Sequence, residues 1–260
     1  MSEERAHAKL SASGAKRWMA CPRSVALEEV EEERESPFAI EGTQAHAVAE
    51  VLLRNAIGKL GNEEADIEIR NQNPPKDMLD YVGMYVEGCV DSYQTVKLED
   101  PEAFAEVEVK VEFTNWVPDG FGTCDFAVIA VRKRKLIIRD MKYGKGVPVP
   151  AEDNPQPRLY ALGMIQEWGW IYDIDEIEMH IDQPRLNAYT TEVITKDELF
   201  EWAEREVKPK AQRAYNDEGE FVSGEHCKFC RVRATCKKRA YDMLEFIQEI
   251  IIGGPKNVSK

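Results

Sequence analysis

Apolar positions along the 260-residue chain change their period near its middle. In the first third they recur at helical spacing. Ala45, Val48, Ala49, Leu52 and Leu53 in "AHAVAEVLLRNAIG" make one stripe, and Leu79, Val82, Val86 and Val90 in "MLDYVGMYVEGCVDSYQTV" make a second. Two long helices are predicted, the first entered from a loop, "EEERESPFAIEGTQ", and closed by Gly58 and Gly61. From "EVEVKVEF" the alternation is strict, which predicts a half-buried strand with Val107, Val109, Val111 and Phe113 on one face. "GTCDFAVIAV", the polar turn "RKRK" and "LIIRDMKYG" then predict a hairpin. A helix from about Pro155 to Trp168, a fourth strand over "DEIEMHIDQPR" with Ile177, Met179 and Ile181 inward, and an amphipathic helix over "KDELFEWAEREVKPKAQRAY" complete the pattern.

This order of elements predicts the α/β class, a mixed central sheet flanked by helices in one domain over 1–260. Residues 1–100 are read as mainly helical, 101–195 as the α/β core, and 196–260 as a helix followed by a cysteine-bearing segment. At 43% apolar residues the chain can bury a sizeable core. No run approaches the ~20 apolar residues of a membrane span, and the start has no signal-peptide pattern, so no membrane partner and a cytoplasmic location are expected.

A net charge of −14 has the wrong sign for holding nucleic acid by an overall field. Screening confines each charge to about 8–10 Å, however, so a basic patch acts where it sits. "RKRK" at 132–135 is one such patch, and "CKFCRVRATCKKR" at 227–239, with six basic residues and no acidic one, is another. The acidic run "EEVEEERE" at 28–35 reads as a solvated helix face.

The chemistry concentrates where the hairpin surfaces. Asp140 and Lys142 project from one face of their strand while Met141 points away. A turn centred on Lys133 and Arg134 would set Asp125 opposite Lys142 and on the face of Asp140. Two carboxylates and an ammonium at one sheet edge call for a divalent cation; the plain reading is a surface ion pair between Asp140 and Lys142. Gln156 and Tyr160 in "QPRLY" share one helical face, as do His46 and Glu50.

In their order, "GTQAH" on a helix, "GTCD" opening a strand, "RDMK" closing the next and "QPRLY" on the following helix, these segments resemble the RecB-type branch of the PD-(D/E)XK nuclease superfamily. Within it, "LSASGAKRWMACP" is similar to a family of phage and prophage proteins. The resemblance implies a restriction-endonuclease-like core and a metal-dependent DNA nuclease, an exonuclease acting on ends or single strands in phage recombination, replication or repair. It implies that His46, Asp125, Asp140 and the Met141 backbone carbonyl hold Mn²⁺ or Mg²⁺, that Lys142 positions or helps deprotonate the attacking water, and that Gln156 and Tyr160 contact the strand. Glu50 is either a supporting acid or a solvated helix residue. Phage recombination or replication proteins and further copies of the chain are the partners it implies. A non-catalytic nucleic-acid-binding or assembly module is the other reading of the same fold.

Of six cysteines, Cys89 and Cys124 sit inside apolar patterns and read as small buried hydrophobes. Cys227, Cys230 and Cys236 form C-x2-C-x5-C, and Cys21 lies in "MACP". Structural zinc, with His226 or Cys21 as fourth ligand, satisfies this spacing. The layout, one cysteine before the core and three after it, resembles the CRISPR-associated iron-sulfur exonucleases and helicase-nuclease subunits. It implies a [4Fe-4S] cluster that joins the two ends of the chain. Arg231 and Arg233, among the cysteines, are candidate phosphate contacts beside solvation as the plain alternative.

Overall fold

The structure, a computed structural model, describes residues 8–31 and 36–253. Short helices α1 (Ala15–Ala20) and α2 (Ser24–Glu29) lead to α3 (Pro37–Ala56), α4 (Asn62–Gln72) and α5 (Lys76–Glu99). The first long helix starts inside the expected loop, because Ser36 Oγ accepts the Ala39 N–H at 3.1 Å and Pro37 presets the backbone of the first turn. Strands β1 (Phe104–Glu112), β2 (Phe121–Ala130) and β3 (Lys135–Met141) follow, then α6 (Pro155–Trp168), β4 (Glu176–Gln183) and β5 (Ala188–Thr195). Helices α7 (Lys196–Trp202) and α8 (Lys208–Tyr215) are joined through a π-helical turn at Ala203–Val207, and α9 (Lys237–Gly253) ends the described chain.

The five strands form one mixed sheet in the order β1-β2-β3-β4-β5, antiparallel throughout except where β3 and β4 run parallel. Helices cover both faces. Leu136 and Ile138 pack with α6, α7 and α8 residues such as Leu159, Leu199 and Ala211, whereas Ile137 and Met141 pack with Val48 of α3 and Val82 of α5. Among the described residues no helix is long and apolar enough to cross a membrane. The acidic run is not a uniformly solvated face: Glu28 is buried, pairs with Arg17 at 2.7 Å and accepts the Arg231 N–H. Residues 32–35 of that run lie outside the described residues.

The hairpin closes at Ala130 opposite Lys135, around the turn 131–134, and Phe126 faces Arg139. One step further along this ladder Asp125 comes opposite Asp140, not Lys142. Asp100 fixes the turn by accepting the Arg132 N–H at 2.7 Å, and Arg134 takes a left-handed φ of 54°.

Nor do Val107, Val109 and Val111 of β1 and the following Phe113 share a face. Val107 packs on the α3/α5 side, while Val109, Val111 and Phe113 pack on the α6 side. Between them Glu108 has a φ of 47°, and the ladder passes from Val107–Phe126 to Val109–Cys124. On β2 the change is matched: Phe126 lies on the α3/α5 side and Cys124 on the α6 side. A left-handed residue breaks the two-residue period without changing the register.

Arg139 is accommodated where an apolar run meets the α5 layer. Its Nε and Nη2 donate to the two Asp182 oxygens at 2.9 Å each, and Nη1 donates to Ser92 Oγ at 2.8 Å. A Cβ on Gly88 would stand 2.7 Å from Arg139 Nη2, so glycine there makes room for the guanidinium.

On β4, Glu178 lies between His180 Nε2 at 2.7 Å and Lys135 Nζ at 2.6 Å. The His180 hydrogen bond, aided by Lys135, lowers its carboxyl from 4.5 to about 2. A depressed carboxyl stabilises the fold above its ordinary range, and that contribution disappears as pH falls toward the folded value. Glu178→Gln is therefore expected to lower the melting temperature at neutral pH, with the gap from wild type closing as the pH of parallel thermal melts approaches about 2.

Candidate metal centre

The site lies where the middle of β1 and β2, the end of β3 and the His46 turn of α3 come together. His46 Nδ1, presented by α3, is 3.4 Å from Asp125 Oδ2 and 3.8 Å from Glu108 Oε1. Ligand atoms of His46, Glu108 and Asp125 all lie within 4.8 Å of one another, a set able to hold a metal ion. Asp125 is buried, and its Oδ2 also accepts the Met141 N–H at 2.7 Å. Burial, followed by the charges of Asp140 and Glu108, pushes the Asp125 carboxyl up against the opposing pull of His46 and Lys142. Burial works against a charged His46, yet Asp125, Glu108 and Asp140 outweigh it and raise the imidazole. One imidazole and two carboxylates suit Mn²⁺ or Mg²⁺, so the residues fit the group expected of them.

Glu108 is the functional candidate that sequence reading missed. Alternation assigns it to the solvated face of a regular strand; its left-handed backbone instead brings it to Asp125, the residue at the matching position on β2. A non-glycine residue in that conformation costs on the order of 1–2 kcal/mol. Glu108→Gly relaxes it and removes a charge from the crowd. After the entropy penalty of glycine, the metal-free variant is expected to gain about 0.5 kcal/mol in urea unfolding while binding Mn²⁺ more weakly than wild type in calorimetric titration.

Asp140 is not within the three-residue set but adjoins it, close enough for its charge to act on both His46 and Asp125. It is buried. Its Oδ1 accepts Gln156 Nε2 at 2.9 Å, and its Oδ2 forms a close ion pair with Lys142 Nζ. Lys142 Nζ donates in turn to Gln156 Oε1 at 2.8 Å, and its backbone N–H reaches the Asp182 carbonyl at 2.8 Å. Gln156 and Tyr160 share a helical face as expected, with Nε2 of Gln156 2.9 Å from the Tyr160 hydroxyl. Tyr160 itself is buried, and burial, then Asp140 and Asp125, holds its phenol far above the ordinary range. It touches Gln156 and orients it. Met141 meets Asp125 through its backbone N–H.

Glu50, part-buried on α3, is outside the three-residue set and pairs with Arg54 at 3.1 Å. Arg231 and Arg233 are exposed, with Arg233 Nη1 donating to the Lys228 carbonyl.

Cysteines from the two ends of the chain meet at a distance from this centre in sequence. Cys21 follows α1, and its Sγ accepts the Val222 N–H at 3.4 Å. Burial first, with the nearby Cys227 and Cys236 adding to it, raises the Cys21 thiol. Burial likewise pushes Cys230 up to about 11, with Glu28 adding to the rise through a contact with its sulfur. Cys227 and Cys236 are thus near enough for their charges to act on Cys21, while Cys230 contacts Glu28; the four sulfurs do not form a closed metal-ligand group among the described residues. His226 Nε2 hydrogen-bonds the Val222 carbonyl. Cys89 and Cys124 are fully buried, as read, and all six cysteines are free of disulfides.

The chain belongs to the family described as "Protein of unknown function (DUF2800)", whose model matches residues 7–254. Among solved structures it is similar to "Crystal structure of SSO0001", at 16% identity and a TM-score of 0.33, over 86% of this chain and 96% of that one.

Proposed function

For this member of the DUF2800 family we propose a metal-dependent deoxyribonuclease of the RecB-type PD-(D/E)XK kind, an exonuclease hydrolysing phosphodiester bonds at DNA ends. One observation carries the reading. A potential cation site of His46, Glu108 and Asp125 adjoins an Asp140–Lys142–Gln156 network at one end of the sheet. A divalent cation held there would lower the pKa of its water and neutralise charge on the phosphate.

The chain's own groups do the rest. Glu108 and Asp125, with Asp140 alongside, would supply the negative charge that retains the cation, and His46 would add a nitrogen ligand from another element. Lys142 Nζ, steadied by Gln156 Oε1, hydrogen-bonds the attacking water and offsets charge on a non-bridging phosphate oxygen. Tyr160 holds the Gln156 amide in register between Asp140 and Lys142. Cys21, Cys227, Cys230 and Cys236 would hold a [4Fe-4S] cluster, which would fasten the C-terminal segment to α1. The DNA acted on belongs to phage recombination, replication or repair in a host cytoplasm.

The test uses protein purified without oxygen, incubated with end-labelled linear DNA and with closed circular DNA in Mn²⁺, Mg²⁺ or EDTA. Shortening of the linear DNA in either metal, none in EDTA and survival of the circle are expected. Tight DNA binding without turnover in both metals would favour the non-catalytic module.

A further inference from the structure

A cavity of about 400 Å³ opens behind the turn that precedes α1, lined in part by Lys9, Ser11, Ser13, Gly14, Arg17 and Arg231. Three cations and two hydroxyls stand there against two carboxylates, Glu28 and Glu29, in a chain whose net charge is −14. The carboxylates are already engaged: Glu28 orients Arg17 at 2.7 Å and accepts the Arg231 N–H at 2.7 Å, and Glu29 lies 3.5 Å from Lys9. Arg17 Nε is buried without a hydrogen-bond partner. Gly14 keeps the floor open, since a Cβ there would stand 3.1 Å from Ser11 Oγ and 3.3 Å from Arg17 Nη2. Trp18, whose indole Nε1 donates to the Ser11 carbonyl at 2.9 Å, fixes the turn over the cavity.

The turn that borders this cavity is linked by contacts to the Asp140 network. A Cβ on Gly122 would come 2.9 Å from Tyr160 Cε1 and 3.3 Å from Ala12 Cβ, so the Ser11–Gly14 turn and the Tyr160 ring press on the same point of β2. Tyr160 reaches Asp140 through the single residue Gln156.

We propose that this cavity receives the terminal phosphomonoester of a nucleic-acid strand whose neighbouring nucleotides lie across the Ser11–Gly14 turn toward Asp140. The assignment rests on the nuclease reading for its purpose, and on the cavity alone for its chemistry. A strand terminus carrying a phosphomonoester has more charge than an internal diester, about −1.5 to −2 near neutral pH, and three accepting oxygens. Lys9, Arg17 and the serine hydroxyls are donors matched to such a group.

The experiment measures binding, not cleavage. Fluorescence anisotropy in EDTA compares one labelled single-stranded oligonucleotide carrying a 5′-phosphate, a 3′-phosphate or hydroxyls at both ends. One phosphorylated form is expected to bind about tenfold more tightly than the hydroxyl form, and its identity gives the polarity. Lys9→Gln, a change at a part-exposed side chain, is expected to remove most of that preference, and Lys9→Arg to restore it. Equal affinity of all three oligonucleotides for wild type, or an unchanged preference in Lys9→Gln, overturns the proposal. Inorganic phosphate as competitor separates the two sources of the group. Displacement only at millimolar concentration supports a strand end, whereas displacement as strong as that by the phosphorylated oligonucleotide assigns the cavity to the free anion and overturns it. Because no metal is present, a protein that discriminates ends yet never cuts DNA keeps this site and loses the nuclease reading; one that cuts without discriminating does the reverse.

Discussion

Asp140→Asn is expected to lower metal-dependent cleavage of linear DNA by about a thousandfold, with circular dichroism and thermal melting close to wild type. The carboxamide has almost the same shape and can still meet the Gln156 amide, so the buried packing survives. What disappears is a full negative charge beside Lys142 and near Asp125. The cation loses attraction, and Lys142 loses the partner that fixes its ammonium. Lys142→Ala is expected to give a loss of similar size for the second of these reasons, leaving metal binding in place. Gel analysis of end-labelled substrate under single-turnover conditions separates the two, because added Mn²⁺ rescues only a defect of affinity. Undiminished cleavage by both purified variants would remove the hydrolytic assignment.

The largest expected effect on stability lies one residue away and on the opposite side of the sheet. Asp182→Ala leaves the Arg139 guanidinium buried against Gly88 without its paired carboxylate, at a cost of about 3–5 kcal/mol. Urea denaturation followed by far-ultraviolet circular dichroism reads the loss directly. Replacing Arg139 and Asp182 together by leucines is expected to recover most of it, since the penalty comes from an unpaired charge and not from a missing contact. A single-variant loss below about 1 kcal/mol, the range of an exposed pair, would contradict this account. The pair also bears on the site: the Asp182 carbonyl accepts the Lys142 N–H and Tyr85 donates to the Arg139 carbonyl, so both strands are tied where Asp140 and Lys142 emerge.

Where the sequence was informative, a local pattern carried the message. The helix Pro155–Trp168 has the predicted bounds, and its Gln156–Tyr160 spacing does place both side chains together. Asp125 and Asp140 stood out because each interrupts an apolar strand, and His46 does lie against Asp125. Other features depended on geometry that composition does not encode. Glu108 follows the alternation of "EVEVKVEF" letter by letter, and only its φ of 47° turns it to the cation site and moves Val107 to the other core. The hairpin register followed from a turn held by Asp100, some thirty residues away in sequence, through the Arg132 N–H. The strand Ala188–Thr195 went unread because it is a largely exposed edge, with no apolar face to mark it. The buried role of Glu28 was hidden inside a run of like charges whose partners, Arg17 and the Arg231 backbone, come from both ends of the chain.

Behind the proposed hydrolysis stands one cation among His46, Glu108, Asp125 and Asp140. A crystal grown with Mn²⁺ and measured at the manganese absorption edge locates it directly. The account predicts an anomalous peak bonded to His46 and Asp125, with Asp140 or Glu108 completing the carboxylates, and its disappearance in crystals of Asp125→Asn. Well-ordered side chains at these positions with no peak between them at saturating Mn²⁺, or a peak bound elsewhere while the imidazole of His46 turns away from both aspartates, would contradict it.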